Sequence, residues 1–272
     1  MPELKLSQGQ IHYRDEGTGP PIVLVHGLLA NGTVWGRLVP ELAPGARCIV
    51  PDLPLGAHRQ AMNSDADLSP EGVARLVAEL IERLGLDGVT LVGNDTGGAI
   101  CQLVVASQPG RISRLVLTNC DAFEEFPPAK LRAPIRALGR PGVVATLARL
   151  ARLRAVRRLA LAAAPLTLNP VPDDLVRGWV EPLGDPGVCR DLVKFCREVR
   201  PTITLAAAER FAEFGGEVLV AWGARDRFFE LSLAERLTAA FPRARLERIE
   251  NARTFVQIDA PQELARLILK EV

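Results

Sequence analysis

Only three histidines, one tyrosine (Tyr13) and two methionines occur among 272 residues, and just four of the 33 basic residues are lysine. General bases that titrate near neutrality are therefore scarce. The five cysteines (Cys48, Cys101, Cys120, Cys189, Cys196) are odd in number and include no C-x-x-C pair, which argues against a disulfide framework and for reduced thiols. No apolar run reaches the roughly 18 residues a spanning helix needs, and Met1-Pro2-Glu3-Leu4-Lys5 does not open a signal peptide, so a cytoplasmic location is expected. Phosphate loops, dinucleotide glycine patterns and Cys/His clusters are missing, so no cofactor and no metal are expected. A net charge of +1, from 33 basic and 32 acidic residues, gives no bulk attraction to nucleic acid or anionic lipid. A small-molecule substrate is the expected partner, with neither nucleic acid nor membrane.

What is present is an alternation of short apolar runs with helix-length segments. Ile22 to His26, Arg47 to Val50, Val89 to Gly93, Arg114 to Thr118, Val218 to Trp222 and Arg245 to Ile249 read as buried strands. Leu4 to Ser7 and Ile11 to Arg14 read as an edge hairpin. Such alternation predicts an α/β protein, a mostly parallel sheet with helices on both faces. Ser69-Pro70-Glu71-Gly72 supplies an N-cap, a proline at N1 and an early carboxylate before Val73, Leu76, Val77, Leu80 and Ile81, with Leu84-Gly85 ending that helix.

The alternation stops between residues 122 and 215, where Ala, Leu, Arg and ten prolines predominate. This predicts an inserted helical cap (122–215) on a core made of residues 1–121 and 216–272. Within it, Val143, Leu147, Leu150 and Leu153 are expected to face the core, opposite a solvated face of Arg149, Arg152, Arg154, Arg157 and Arg158. A basic amphipathic helix of this kind also suits a membrane or an acidic partner. Trp179 reads as a packing residue, or as an indole N–H donor to a leaving group.

Chemistry concentrates at Leu91-Val92-Gly93-Asn94-Asp95-Thr96-Gly97-Gly98, a strand running through a glycine-flanked turn into a helix. Such a turn holds its central residue in a sparsely populated backbone region and presents the side chain at the tip, here a carboxylate. The plainer reading of Asp95 is a cap on the following helix.

Five segments in order carry a resemblance: His26-Gly27-Leu28-Leu29, Pro51-Asp52-Leu53-Pro54-Leu55-Gly56, the turn at Asp95, Trp222-Gly223-Ala224-Arg225-Asp226, and Thr254-Phe255-Val256-Gln257. Together they resemble the α/β-hydrolase superfamily over nearly the whole chain, and the aspartate in the turn is similar to the branch of haloalkane dehalogenases, haloacetate dehalogenases and epoxide hydrolases. The resemblance implies an α/β-hydrolase fold with Asp95 as nucleophile. It also implies Asp226 or, as in some relatives, Asp121 as the orienting acid, and the backbone N–H groups of Leu28 and Thr96 as oxyanion donors.

The departures are specific. The position of the family's general-base histidine is held by Thr254, which has no basic group near neutral pH. His12 lies on the edge hairpin and His26 in the turn it braces, leaving His58 as the available substitute base. The dehalogenase halide donors would be tryptophan after the nucleophile and asparagine after the His-Gly pair; this chain has Thr96 and Leu28. Thr96 also stands where haloacetate dehalogenases place an arginine, and Tyr13 lies far from the cap where epoxide hydrolases place two tyrosines.

Three functions are consistent with these residues. The first is a hydrolase of a small organic substrate using Asp95 in a capped apolar pocket, with Thr254 and Thr96 against the substrate. The second is a lyase or isomerase in which Asp95 is a general base with a pKa raised by burial. The third is a ligand-binding protein on the same scaffold.

Overall fold

The computed structural model describes residues 1–163 and 165–270. Eight strands form one sheet: β1 (Glu3–Leu6), β2 (Gly9–Glu16), β3 (Pro21–Val25), β4 (Arg47–Pro51), β5 (Val89–Asp95), β6 (Ile112–Cys120), β7 (Glu217–Gly223) and β8 (Ala244–Ile249). Their order is β1-β2-β4-β3-β5-β6-β7-β8, with β1, β2 and β4 joined antiparallel and every other pair parallel. All eight strands fall where the apolar runs place them.

Side chains alternate strictly across this sheet. Val23, Val25, Ile49, Leu91, Leu115, Leu117, Val218 and Val220 enter one core, while Ile22, Leu24, Cys48, Val50, Val92, Val116, Leu219 and Ala221 enter the other. A strand buried on both faces reads as a continuous apolar run because the helical crossovers cover both sides. The second core is closed by α1 (Val39–Leu42) and by residues of the C-terminal helix, such as Leu264 and Ile268. On the first side lie α2 (Pro70–Arg83) and α3 (Thr96–Ser107). The Ser69 hydroxyl accepts the Gly72 N–H at 3.0 Å, as the capping pattern predicts, and Gly85 leaves α2 with φ +62°. The first eleven residues of α3 are all buried, which the sequence allows because Gln102 is the only polar side chain among them beyond the first turn.

Between β6 and β7 the chain is helical: α4 (Arg132–Leu138), α5 (Pro141–Ala151), α6 (Arg154–Ala163), α7 (Asp173–Val180), α8 (Pro186–Glu198) and α9 (Pro201–Ala208). It is tied to loops that leave the C-terminal ends of the strands. The Trp179 indole N–H donates to Thr33 Oγ1 at 2.9 Å, Lys194 donates to the Ser64 and Ala66 carbonyls, and Phe255 N–H donates to the Leu166 carbonyl. Trp179 is therefore held by packing and by Thr33, edge-on to Phe255. The chain closes with α10 (Leu231–Ala240), α11 (Val256–Asp259) and α12 (Pro261–Leu269).

The expected register of α5 is off by one position. Val144 and Ala148 turn inward, while Leu147, Leu150 and Leu153 are 47%, 46% and 60% exposed. Small side chains at 144 and 148 allow α5 to approach α8, and Leu153 falls in the break between α5 and α6. Because apolar residues occupy two adjacent stripes, periodicity alone does not say which stripe is buried. Arg157 is also inside, against expectation: its guanidinium grips Asp173 at 3.1 and 2.8 Å and caps the Ala151 and Arg152 carbonyls. All five cysteines are free, as expected.

Candidate active site

Asp95 ends β5 with φ +55° and ψ −134°, a backbone state costing about 1–3 kcal/mol for a non-glycine residue. Packing holds it there. A Cβ on Gly93 would come within 2.6 Å of Gly98 Cα, one on Gly97 would fall onto the Val25 carbonyl, and one on Gly98 onto Cys120. Gly27 is equally constrained, because a Cβ there would collide with the Asp95 carboxylate. The other two non-glycine residues at positive φ among those described, Leu29 and Phe123, lie in the loops after β3 and β6. Backbone strain is thus gathered around one end of the central strands.

The Asp95 side chain makes no capping bond to α3. Its Oδ2 instead accepts the Leu28 N–H at 3.1 Å, which disfavours the plain capping role. Desolvation pushes its pKa up to about 7; the N–H groups of Thr96 and Leu28 oppose this, and the charge of Asp226 reinforces it.

Asp226, in the loop after β7, is held by three donors: Phe228 N–H at 2.7 Å and Phe229 N–H at 3.2 Å on Oδ1, and Asn119 Nδ2 at 2.8 Å on Oδ2. Burial still raises its pKa. Asp121, just beyond β6, is fully buried and accepts the Thr96 hydroxyl at 3.1 Å on Oδ2, while Oδ1 has no partner. Burial, with the Asp95 charge added, lifts its pKa well above the usual carboxylate range and favours its neutral form. Asp95, Asp121 and Asp226 thus share one electrostatic neighbourhood. Among the described residues, no group of three acidic, His or Cys side chains is placed to hold a metal ion.

Thr254 is buried beside Asp226 and favours its charged form, yet its hydroxyl makes no hydrogen bond of ordinary geometry. Its carbonyl accepts Asn94 Nδ2 at 2.7 Å, and Asn94 Oδ1 accepts Gln257 Nε2 at 2.9 Å. These two amides lash the Thr254 loop to the turn at Asp95. Asn119 also bridges Gly223 through both its N–H and its carbonyl, at 2.6 and 3.1 Å, and so positions Asp226. Sequence reasoning did not single out Asn94, Asn119 or Gln257. For Asn94 and Asn119 the available signal was an amide at the C-terminal end of an otherwise apolar strand, where buried polar groups need partners; Gln257, on α11, carries no such signal.

The two remaining histidines near the site are engaged elsewhere. His26 receives the Leu53 N–H on Nε2 at 2.9 Å and donates from Nδ1 to the Gly27 carbonyl at 2.9 Å; burial lowers its pKa and keeps it neutral. It braces the loop, as expected. His58 Nε2 meets Asp191 Oδ2 of α8 at 3.2 Å, so its hydrogen bond runs to the helical segment and to neither Asp95 nor Asp226. Surface cavities of about 380, 470 and 520 Å³ lie around the helical segment and the loop after β7, and Asp95 lines none of them.

A strained strand-to-helix turn at the centre of a mostly parallel sheet, with an acid after β7 and a helical segment between β6 and β7, defines an α/β-hydrolase architecture. Residues 20–261 match the alpha/beta hydrolase fold family, and the chain belongs to that family. It is 30% identical over 270 residues to haloalkane dehalogenase 2 of Mycobacterium tuberculosis, covering 97% of this chain and 92% of that protein. It is 25% identical over 277 residues to a 2-hydroxy-6-oxo-6-phenylhexa-2,4-dienoate hydrolase of Burkholderia cepacia, covering 98% and 92%. The fold is also similar to the crystal structure of haloalkane dehalogenase DbeA from Bradyrhizobium elkani, with a TM-score of 0.80 at 19% identity over 98% of this chain and 95% of that one.

Proposed function

We propose that this chain is a hydrolase of a small organic substrate in which Asp95 is the nucleophile and residues 122–215 form the lid above it. The observation that carries this reading is the orientation of the Asp95 carboxylate. Oδ2 is docked on the Leu28 N–H against Gly27, which leaves Oδ1 to attack. Oδ1 forms a bond to an electrophilic carbon of the substrate, and the bond to the leaving group breaks with its electron pair departing. Oδ2 becomes the carbonyl oxygen of the ester, and negative charge developing there when water adds is met by the N–H groups of Leu28 and Thr96. Asp226 is the acid that faces this water. Both its oxygens already accept hydrogen bonds, and Thr254 adds no base, so the second step is slow.

The haloalkane dehalogenase relative supports displacement at a saturated carbon. Leu28 and Thr96 offer no side-chain donors of the kind expected for halide, so a leaving group that departs without such donors is the better match. The test is the time course of product release: a burst stoichiometric with enzyme, followed by a much slower phase, is expected with an alkyl substrate. Linear release with no burst would contradict it.

One observation favours a second reading. A pKa of about 7 suits Asp95 as a general base, and proton abstraction in a lyase or isomerase needs no histidine to cleave an ester. Exchange of substrate protons with deuterated solvent, with no covalent adduct, distinguishes it.

A further inference from the structure

The helical segment carries a charge and hydrophobicity pattern found nowhere else in the chain. Residues 126–172 hold nine basic side chains and no Asp or Glu, so the other residues hold 24 basic against 32 acidic. A net charge of +1 therefore conceals a strongly basic segment on an acidic body. The same segment holds four of the six exposed large hydrophobic side chains among the described residues: Leu147, Leu150, Leu153 and Leu159, the last 72% exposed. Leu147 and Leu150 share one face of α5, three residues apart, and Leu159 lies on α6 flanked by exposed Arg158. Four exposed leucines within thirteen consecutive residues are a concentration of apolar surface that marks an interaction site.

The arginines around them are largely uncommitted. Arg136, Arg140, Arg149 and Arg152 make no ion pair with any described residue, whereas Arg157 is locked to Asp173. Between α5 and α8 a groove of about 470 Å³ is lined by Arg149, Arg152, Arg190, Lys194 and Arg197 with no acidic side chain, over a floor that includes Ala148 and Val193. Arg190, Lys194 and Arg197 are already bonded to Asp191, to the Ser64 and Ala66 carbonyls and to the Gly139 carbonyl, so Arg149 and Arg152 are the cations available to a ligand there.

We infer that the α5–α6 hairpin docks on the surface of an anionic phospholipid bilayer, with Leu147, Leu150, Leu153 and Leu159 entering the acyl boundary and the arginines meeting lipid phosphates. Leucine interleaved with arginine on short helices is the chemistry of interfacial segments: the apolar face sinks a few ångströms, and long guanidinium side chains reach the headgroups. Arg149 and Arg152, at the side of this groove formed by α5, complement a phosphate with acyl chain beside it. No helix among the described residues is long and apolar enough to cross a membrane, so contact is at the surface. This departs from the sequence expectation of no membrane partner, which rested on a net charge near zero and a core-facing stripe; Leu147, Leu150 and Leu153 of that stripe face outward.

The test is flotation of the full chain with phosphatidylcholine vesicles and with vesicles that also contain phosphatidylglycerol, across salt concentrations. Binding only to the phosphatidylglycerol vesicles, weakening with salt, is expected. Arg149→Gln or Arg152→Gln weakens it roughly five-fold each, and Leu153→Ser or Leu159→Ser roughly ten-fold or more. Leu205→Ser, at an exposed leucine of α9 outside the segment, leaves it unchanged. No flotation with phosphatidylglycerol vesicles at low salt overturns the inference. Equal loss in Leu205→Ser overturns it too, as does sedimentation showing a dimer that Leu153→Ser and Leu159→Ser dissolve, because the patch then belongs to a second copy.

Discussion

The two ends of the site are built to different standards. At the Asp95 end, Gly27, Gly93, Gly97 and Gly98 leave no room for a single added carbon, the Asp95 backbone is strained and its carboxylate is docked. At the Thr254 end, Asn94 holds the Thr254 carbonyl, Gln257 holds Asn94 and Asn119 holds Asp226, while the Thr254 hydroxyl beside Asp226 makes no hydrogen bond of ordinary geometry. These amides fix the loop, and Thr254 itself carries no group that titrates near neutrality. On the proposed reading, with Asp95 as nucleophile, this contrast splits the chemistry into a favoured first step and a disfavoured second.

Thr254→His should erase this asymmetry. If the Asp95 ester forms, the variant is expected to speed its breakdown by about 10²-fold to 10⁴-fold, read by single-turnover release of product. Overpacking at this fully buried position should cost about 1–3 kcal/mol in a denaturation curve. No gain in release would show that the amides do not orient a base here. Gly97→Ala sharpens the comparison from the other side: its Cβ would meet the Val25 and His26 carbonyls, so a loss of about 3 kcal/mol or more is expected by urea unfolding. Asn119→Ala removes the bridge between Gly223 and Asp226, and a loss of about 1–3 kcal/mol is expected, with release slowed further.

The pH dependence of stability probes Asp95 directly. Its folded pKa of about 7 lies above the ordinary value of 3.8, so the folded state holds the proton more tightly. Its contribution is favourable at low pH and is lost as pH rises through that window. Asp95→Asn is therefore expected to gain in Tm relative to wild type as pH climbs from about 4 to about 7, the sign to be checked by calorimetry. The smallest effect is reserved for His58→Asn. Since His58 bonds to Asp191, first-step reactivity at Asp95 should be unchanged even if stability falls.

Much of this was legible in the sequence. Strand runs with both faces apolar, the Ser69-Pro70 cap and the glycine spacing around Asp95 are local patterns, each with one physical solution. The relation among Asp95, Asp121 and Asp226 also followed once three strand ends were placed side by side. What stayed hidden depends on which of two similar faces packs. Val143 and Val144 are equally apolar, and only the approach of α8 decides that 144 and 148 turn inward. Arg157 reads as one more surface arginine until Asp173 comes to meet it. Asn94, Asn119 and Gln257 act across distances of more than a hundred residues, which no local spacing encodes.

The central claim is that Asp95 forms a covalent ester that outlives the first step. Intact-protein mass spectrometry of wild type and Asp95→Asn, after exposure to a panel of alkyl halides, epoxides and activated esters, tests it most directly. The account predicts a persistent mass increase on the wild type alone, equal to the transferred group. An unmodified wild type across the whole panel, with no product formed, would contradict it.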